Sequence, residues 1–536
     1  MATDQRTHKV GTVQQDDSGM RKAAEGAPLG MKVVRNVGFS VLRVGLVLPI
    51  QFLLIPYILK NVGVGGYGTW AVLLVVISLT SLVDLGLSGT LTKHAAEYYT
   101  HGDFKALNRL IDTGQVLYAL ISMVAVLLLN LASPLLIGVL FRGSPTSPHE
   151  LTVLWTWSSL LVACNFLGFP FYSVLLGLQR MDLSNIVSYS KVALGALFTV
   201  FFLYTGRGLR GLVYANLLAV VLTLLMSAGM VRALLPQLRS YGFAFDRGEL
   251  KRIFGFGVKI YVTQVAVAMD SQISKMYLGA LAGVQSAGCY NIANETAWKI
   301  RGVPELLLGP VMAAASELDA RGDHARLREL YFRSHKYIAL CGVPLVLGVA
   351  FFCKRLVHLW LGANLAAVAL PLSVLVILYF FNLTSGPGYL IFIGRGLLGP
   401  GMKSALVSLT LNLSLGLVLV YFYGLWGGVL TTCVSVISGT AYFLYLFGKE
   451  SGISFWSVIR QAYLKPAVCA LCILAIFYRF VAVDGLGWGG LAVLGVVFGV
   501  FYILGLALSR FFDSFDRQIA RNLLPMAGLA RRMPVG

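Results

Sequence analysis

Apolar runs of about twenty residues, the length at which a helix crosses a bilayer core, recur roughly fourteen times along this chain. They begin near residues 38, 66, 108, 150, 183, 210, 257, 287, 335, 367, 403, 426, 464 and 488, with short polar stretches between them. In hydrocarbon every backbone N–H and C=O must be satisfied internally. The chain is therefore expected to be all-α, a polytopic integral membrane protein of about fourteen transmembrane helices. Composition excludes a soluble alternative, since 57% of the 536 residues are hydrophobic and only 12% are charged.

Sidedness follows from the cations, because Lys and Arg collect in cytoplasmic loops. With the first residues in the cytoplasm, 31 Lys and Arg fall on that side. Seven fall on the other: Lys60, Arg142, Arg207, Arg210, Lys354, Arg355 and Arg479. Both ends are expected in the cytoplasm. The net charge of +20 is spread over short segments between spans. Nucleic acid is not an expected partner, for it would need those charges gathered on one soluble face. The seven cysteines lie in or beside spans and are odd in number, which argues against a disulfide framework. Cys469 and Cys472 form a lone CxxC without a nearby His or carboxylate, and are read as helix packing. No metal-ligand cluster and no phosphate-cradling loop occurs, so no metal or cofactor is expected.

One segment repeats. Ala95, Glu97, Gly102, Asp103, Leu107 and Leu110 are matched 220 residues later by Ala315, Glu317, Gly322, Asp323, Leu327 and Leu330. Each copy follows an even-numbered span and leads into the next one. Two parallel six-helix lobes related by an axis along the membrane normal are expected, with helices 13 and 14 appended. The boundaries are 1–35 for a cytoplasmic disordered tail without a cleavable signal, 36–232 for the first lobe and 233–256 for a cytoplasmic interfacial linker. The second lobe takes 257–448, helices 13–14 take 449–509, and 510–536 form a cytoplasmic amphipathic tail. Asp246 to Glu249 open a short helix in the linker. Phe511, Phe512, Phe515, Ile519 and Leu523 share one side of the tail, with Arg510, Arg517 and Arg521 beside lipid headgroups.

Five cations interrupt the apolar runs: Arg43, Lys191, Lys275, Lys299 and Arg301. Such residues cost several kcal/mol in a bilayer unless they face a cavity, water or a counter-charge, and fixed positive charge at that depth suits an anionic passenger. Arg43 follows Asn36 and Ser40 on a polar stripe of span 1, with Arg35 at the cytoplasmic lip and a kink expected at Pro49. Lys191 shares a side of span 5 with Ser184 and Ser188. Asp84 on span 2 is placed to pair with Arg43 or Lys191. Asn291, Asn294, Glu295, Trp298, Lys299, Arg301, Gly302 and Glu305 crowd one face of span 8, where Glu295 and Lys299 are i,i+4 neighbours and Pro304 and Pro310 break the helix. On span 7 Lys275 shares a side with Gln264 and Gln272. Asp270 points away, toward a neighbouring helix of its own lobe. Asn382, Ser385 and Pro387 mark another break in span 10. All seven histidines lie in loops or at span ends, which leaves Asp84, Asp270, Glu295 and Glu305 for any proton relay. A proton or sodium as coupling ion is not readable. In-span acids balance cations in the second lobe, and the first lobe keeps a surplus of one. The second-lobe charges are thus expected to be a paired network that rearranges between states.

The chain also resembles the Wzx-like oligosaccharide flippases of the multidrug/oligosaccharidyl-lipid/polysaccharide (MOP) exporter superfamily. The residues carrying this are Gly66-Tyr67-Gly68-Thr69-Trp70, Leu82-Val83-Asp84-Leu85-Gly86-Leu87, the Glu97 to Leu110 loop, Leu176-Gly177-Leu178-Gln179-Arg180, and Leu250-Lys251-Arg252-Ile253-Phe254-Gly255-Phe256-Gly257. Their order covers roughly residues 36 to 450. The resemblance implies a transporter, not an enzyme, in the bacterial inner membrane. It would move a polyprenyl-diphosphate-linked oligosaccharide from the cytoplasmic to the outer leaflet by alternating access, beside other polysaccharide-assembly proteins. Multidrug or lipid II export on the same scaffold is the alternative, and a membrane glycan polymerase or ligase is a third. The sugar and the oligomeric state are not readable.

Overall fold

The computed structural model describes residues 29–78, 84, 87–237, 258–481 and 485–516, with side chains from 48 in the first stretch and from 265 in the fourth. Residues 1–28 of the expected first tail, the 233–256 linker from residue 238 onward, and the tail beyond 516 lie outside the described residues, while residues 29–35, expected in the disordered tail, already belong to the first helix. Among the described residues every regular element is a helix. The first lobe comprises α1 (Leu29–Ser78), α2 (Leu87–Thr100), α3 (Phe104–Leu131), α4 (Ser133–Leu140), α5 (Pro148–Gly177), α6 (Met181–Tyr204) and α7 (Gly208–Leu234). The second comprises α8 (Val258–Tyr277), α9 (Val284–Glu305), α10 (Val311–Ala320), α11 (His324–Leu361), α12 (Ala369–Leu383), α13 (Gly386–Gly394), α14 (Gly399–Tyr423) and α15 (Leu425–Ser451). The short α16 (Phe455–Val458), α17 (Leu464–Phe480) and α18 (Trp488–Leu508) follow.

Eleven helical stretches are long and apolar enough to span a membrane. The expectation of fourteen exceeds this because α1 carries two expected spans in one element, while α8 and the α9–α10 pair are too polar to be counted with the rest. That polarity is itself informative, since helices 8 and 9 build the centre of the molecule.

The repeat proves to be a capping device. α2 and α10 end in a turn whose glycine has positive φ (Gly102 69°, Gly322 68°), a conformation that a side chain would strain. Asp103 accepts from Ala106 N at 2.9 Å and Asp323 from Arg326 N at 3.0 Å, capping α3 and α11. Behind each cap the apolar pair is drawn inward: Leu107, Leu110 and Leu327 are buried. Within each half the helices pack on one another, α2, α3 and α7 around α5 with α6 on α7, and α8 and α15 on α14 with α12 on α9.

Three local expectations are corrected. α1 keeps helical dihedrals through Pro49 and Pro56 and leaves them at Gly63 (φ 70°, ψ 175°), so the break falls at the turn between spans rather than at the proline. His335, expected at a span end, is fully buried in α11, its Nδ1 2.9 Å from Tyr463 Oη, because α11 begins eleven residues earlier than the apolar run suggests. Residues 511–513 are not helical, and Phe511 is buried in the bundle core instead of lying on a lipid-facing side. There Lys336 Nζ reaches Asp513 at 3.1 Å and Asp516 at 2.5 Å, and Tyr337 Oη donates to Asp516 at 2.8 Å, fastening the chain after α18 to α11.

Candidate functional site

The two lobes meet through α1 and α9. Val284, Gly288, Asn291, Glu295, Trp298, Gly302 and Glu305 follow alternating steps of four and three, which on a helix make one stripe. The first part of that stripe is pressed onto α1. A methyl group on Gly288 would stand 2.9 Å from Gly68 Cα, and one on Gly68 would strike the Val284 carbonyl. Only glycines permit so close a crossing. Asn291 Nδ2 then donates to Tyr67 Oη at 3.1 Å. Around this crossing, Val284 N donates to Arg142 O at 3.0 Å and Trp360 Nε1 to Phe52 O at 2.9 Å. All these contacts lie toward the mouth whose loops hold few Lys and Arg, so that end is shut.

Below the crossing the same stripe is uncovered. Trp298 is 47% exposed, and the side chains of Glu295 and Glu305 are 38% and 45% exposed. α1 also touches the 3-10 turn Leu306–Leu308 that follows α9. The stripe therefore passes from the lobe contact into an open seam between lobes. α9 ends at Glu305, a single 3-10 turn follows, and α10 starts after Pro310, as the two prolines predict.

The charges on this wall are mostly paired. Lys275, only 3% exposed, reaches from α8 to Glu295 Oε1 at 2.9 Å. This corrects the expected Glu295–Lys299 pair: the carboxylate turns across to a neighbouring helix, where a buried ammonium has greater need of it than the half-exposed Lys299. Arg301 bonds Glu305 at 2.9 Å and lies 4.4 Å from the Trp298 ring centroid. Trp298 also meets Tyr379 edge to face at 5.2 Å, and Tyr379 Oη is held by Asn294 Oδ1 at 2.5 Å. Lys299 has no carboxylate within 4 Å among the described residues.

Asp270 is removed from this seam. Ser408 and Asn412 of α14 donate to it at 2.9 and 2.8 Å, within its own lobe as expected. In the first lobe Asp84 does not pair with Lys191, and the side chain of Arg43, the other expected partner, lies outside the described residues. Tyr118 Oη donates to one oxygen and Ser88 Oγ to the other at 2.7 Å, a neutral cage for the carboxylate. Lys191 Nζ instead donates to Asn165 Oδ1 at 2.8 Å, and no described carboxylate lies within 4 Å of it. Asn165 is oriented for this by its own bond to Leu161 O at 2.9 Å. Arg35 and Arg43 lie on the helical part of α1 whose side chains are outside the described residues. The structure thus brings Lys275, Glu295, Lys299, Arg301 and Glu305 onto one wall, and holds Asp270 by neutral donors within its own lobe.

Sequence reasoning missed the Gly68–Gly288 crossing, although the two glycines stand at the same 220-residue offset as the capping repeat. It also missed the Tyr67–Asn291 and Tyr379–Asn294 bonds, for which no sequence signal exists.

Two helical lobes close over a polar, charged seam at one end, a fold shared with solved membrane transporters. The chain is similar to the solved structure of lipid II flippase MurJ in an inward closed conformation, with TM-score 0.71, 14% identity, and 90% of this chain and 99% of that one covered. It is similar to a multidrug resistance MATE family transporter of the MOP superfamily in an inward-facing conformation (TM-score 0.63, 15% identity, 76% and 96% covered). A MOP superfamily transporter from Pyrococcus furiosus matches with TM-score 0.52, 16% identity, and 79% and 96% covered. These likenesses show the MOP-type transporter fold. No curated protein matches by sequence. The model of the family described as polysaccharide biosynthesis protein matches residues 63–369, more than half of the chain, and the chain belongs to that family.

Proposed function

We propose that this protein carries a polyprenyl-diphosphate-linked oligosaccharide from the cytoplasmic to the outer leaflet of the bacterial inner membrane by alternating access. The cation-rich face is cytoplasmic in this reading, all fourteen expected spans cross, and the lobes divide at the boundaries given above. The observation that carries the proposal is the uncovered stripe on α9. At its two edges stand Lys299, with no carboxylate within 4 Å among the described residues, and Arg301, bonded to Glu305, on a seam shut toward the outer side in this reading. Lys191 supplies a second cation held only by a neutral amide. A diphosphate neutralises two such cations, whereas a cationic drug would meet repulsion. Arg43 and Arg35 are assigned to the same anion path from their place on span 1. Lys275 and Arg301 serve by holding Glu295 and Glu305 in place. Membership of a polysaccharide biosynthesis family supports a saccharide cargo, and other polysaccharide-assembly proteins would supply and consume it.

The test is accumulation of lipid-linked glycan in the cytoplasmic leaflet of a deletion strain, complemented with Lys299→Ala, Lys191→Ala and Arg43→Ala, singly and together. The triple variant is expected to fail. Full complementation by it would remove the anion-binding argument. Unchanged polymer with increased dye sensitivity on deletion would favour a drug exporter. The fold likeness to a lipid II flippase supports a second reading, which complementation of a strain depleted of that activity decides.

A further inference from the structure

We infer that Trp298 is a stacking platform for a sugar ring of the cargo, immediately next in sequence to Lys299, which has no carboxylate within 4 Å among the described residues. The inference rests on the saccharide reading above and adds the place and manner in which the saccharide is held. A tryptophan on a lipid-facing helix surface would need no explanation, but Trp298 is not on one. It occupies the stripe that presses Gly288 and Asn291 onto α1, so its exposed part looks into the seam between lobes.

The ring is also held in place. Arg301 lies over it at 4.4 Å, itself fixed by Glu305 at 2.9 Å. Tyr379 braces it at right angles from α12, itself fixed by Asn294. A rigid aromatic surface loses little conformational freedom on binding. With 47% of the residue still open, there is room for a flat ligand.

The neighbours select the kind of ligand. Glu295 and Glu305 lie on the same stripe, one turn before and two turns after Trp298, and each keeps part of its carboxylate open while bonded to a cation. A hexopyranose offers what this surface lacks: C–H groups on a ring face for the indole, and equatorial hydroxyls that donate to carboxylates. A hydrocarbon tail would stack on the indole but leave both carboxylates unanswered. A pyranose joined to a diphosphate extends its phosphates around the helix toward Lys299, the residue next to Trp298.

The test uses the full chain in lipid nanodiscs and two water-soluble probes, farnesyl diphosphate and farnesyl-diphosphoryl-glucose. Glucose is chosen because its hydroxyls are all equatorial. Wild type should bind the glucose-bearing probe roughly three- to tenfold more tightly. Trp298→Leu, which keeps apolar bulk without a flat face, should erase that ratio and leave farnesyl diphosphate affinity unchanged. Trp298→Phe should retain part of the ratio, and it tests the platform should the leucine variant fail to fold. If Trp298→Leu or, in its place, Trp298→Phe shows no loss of the ratio, the platform is refuted and the cargo reading stands. Equal binding of both probes by wild type has the same consequence. Failure of wild type to bind either probe overturns the diphosphate-linked cargo, and the platform with it.

Discussion

A methyl group at the lobe crossing should push the protein out of the state described here. In Gly288→Ala the new carbon lies 2.9 Å from Gly68 Cα and 3.0 Å from Gly68 N. Ordinary carbon contacts sit at about 3.5–4.0 Å, so the helices must part by roughly 0.6–1 Å. Neither neighbour is a side chain that can rotate away. Overpacking of this kind costs about 1–3 kcal/mol. Under the proposed alternating access the cost falls on the closed crossing alone, because the lobes would part there in the opposite state. The population ratio should move by about five- to 150-fold. Gly68→Ala should act more strongly, since its methyl group meets the Val284 carbonyl head-on. Gly89→Ala is the control, with open space around the added carbon. Spin labels at the exposed positions Lys60 and Ala363, in a chain relieved of its seven cysteines, read the width of this mouth. Expected widths rise from wild type and Gly89→Ala through Gly288→Ala to Gly68→Ala. Unchanged distance distributions in both crossing variants would refute the claim that this contact holds the mouth shut.

The Lys275–Glu295 pair should be lopsided under mutation. Glu295→Gln strands an ammonium only 3% exposed and should cost about 3 kcal/mol, whereas Lys275→Met leaves a part-exposed carboxylate near Lys299 and should cost less in thermal unfolding. Combining the two should recover stability relative to Glu295→Gln alone; a larger loss would mean the pair is not the reason. Asp103→Ala and Asp323→Ala should each lower stability by about 1 kcal/mol as lost N-caps, and, being in separate lobes, should add in the double variant. At the junction after α18 burial disfavours the charged Asp513, but the Asp516 N–H, Lys336 and Arg333 outweigh it and push its pKa down to about 2. A carboxylate with a depressed pKa contributes stability above its unfolded value of about 4 and loses it as pH falls toward the folded value. The stability difference between wild type and Lys336→Met should accordingly persist from pH 7 to about pH 4 and fade below it.

The repeat was legible because it is local. A glycine and an aspartate side by side make a turn and a cap wherever they stand, so the 220-residue echo survives in one dimension. Gly63 and Gly283 keep the same offset and both have positive φ at the turn before spans 2 and 8. In a chain with 58 glycines, however, such a match carries no weight until the backbone is seen. Partners of the charges were illegible for a different reason. Periodicity reports neighbours along one helix and is silent on the helix opposite. It therefore paired Glu295 with Lys299 and left Lys275, twenty residues back on α8, without a mate. Asp84 was matched to a cation because charge is what a sequence displays, and its tyrosine and serine donors look unremarkable. The wheel arrangement of α9 did identify the right face, since one helix suffices for that.

The structure also changes what the charged network does. Read from sequence, its pairs break and re-form between states. In the structure both partners of Lys275–Glu295, and both of Arg301–Glu305, belong to the second lobe. In the proposed cycle they would move together when the lobes part. The bonds that must break at the crossing are neutral: Asn291 to Tyr67, Trp360 to Phe52 O, and Val284 N to Arg142 O. Each contributes about 0.5–1.5 kcal/mol net, while tearing a buried ion pair would cost about 3–5 kcal/mol. A transporter must visit both states on a working timescale, so the division is physically sensible. Hydrogen bonds that water can replace join the lobes, and the charges remain inside one of them, available to a passenger throughout. Residues 220 places before Glu295, Lys299 and Arg301 are Val75, Leu79 and Ser81, so the halves share a skeleton but not the charged wall. In the proposed cycle symmetry would serve the motion of the lobes, and its breaking would give the seam one wall for an anionic cargo.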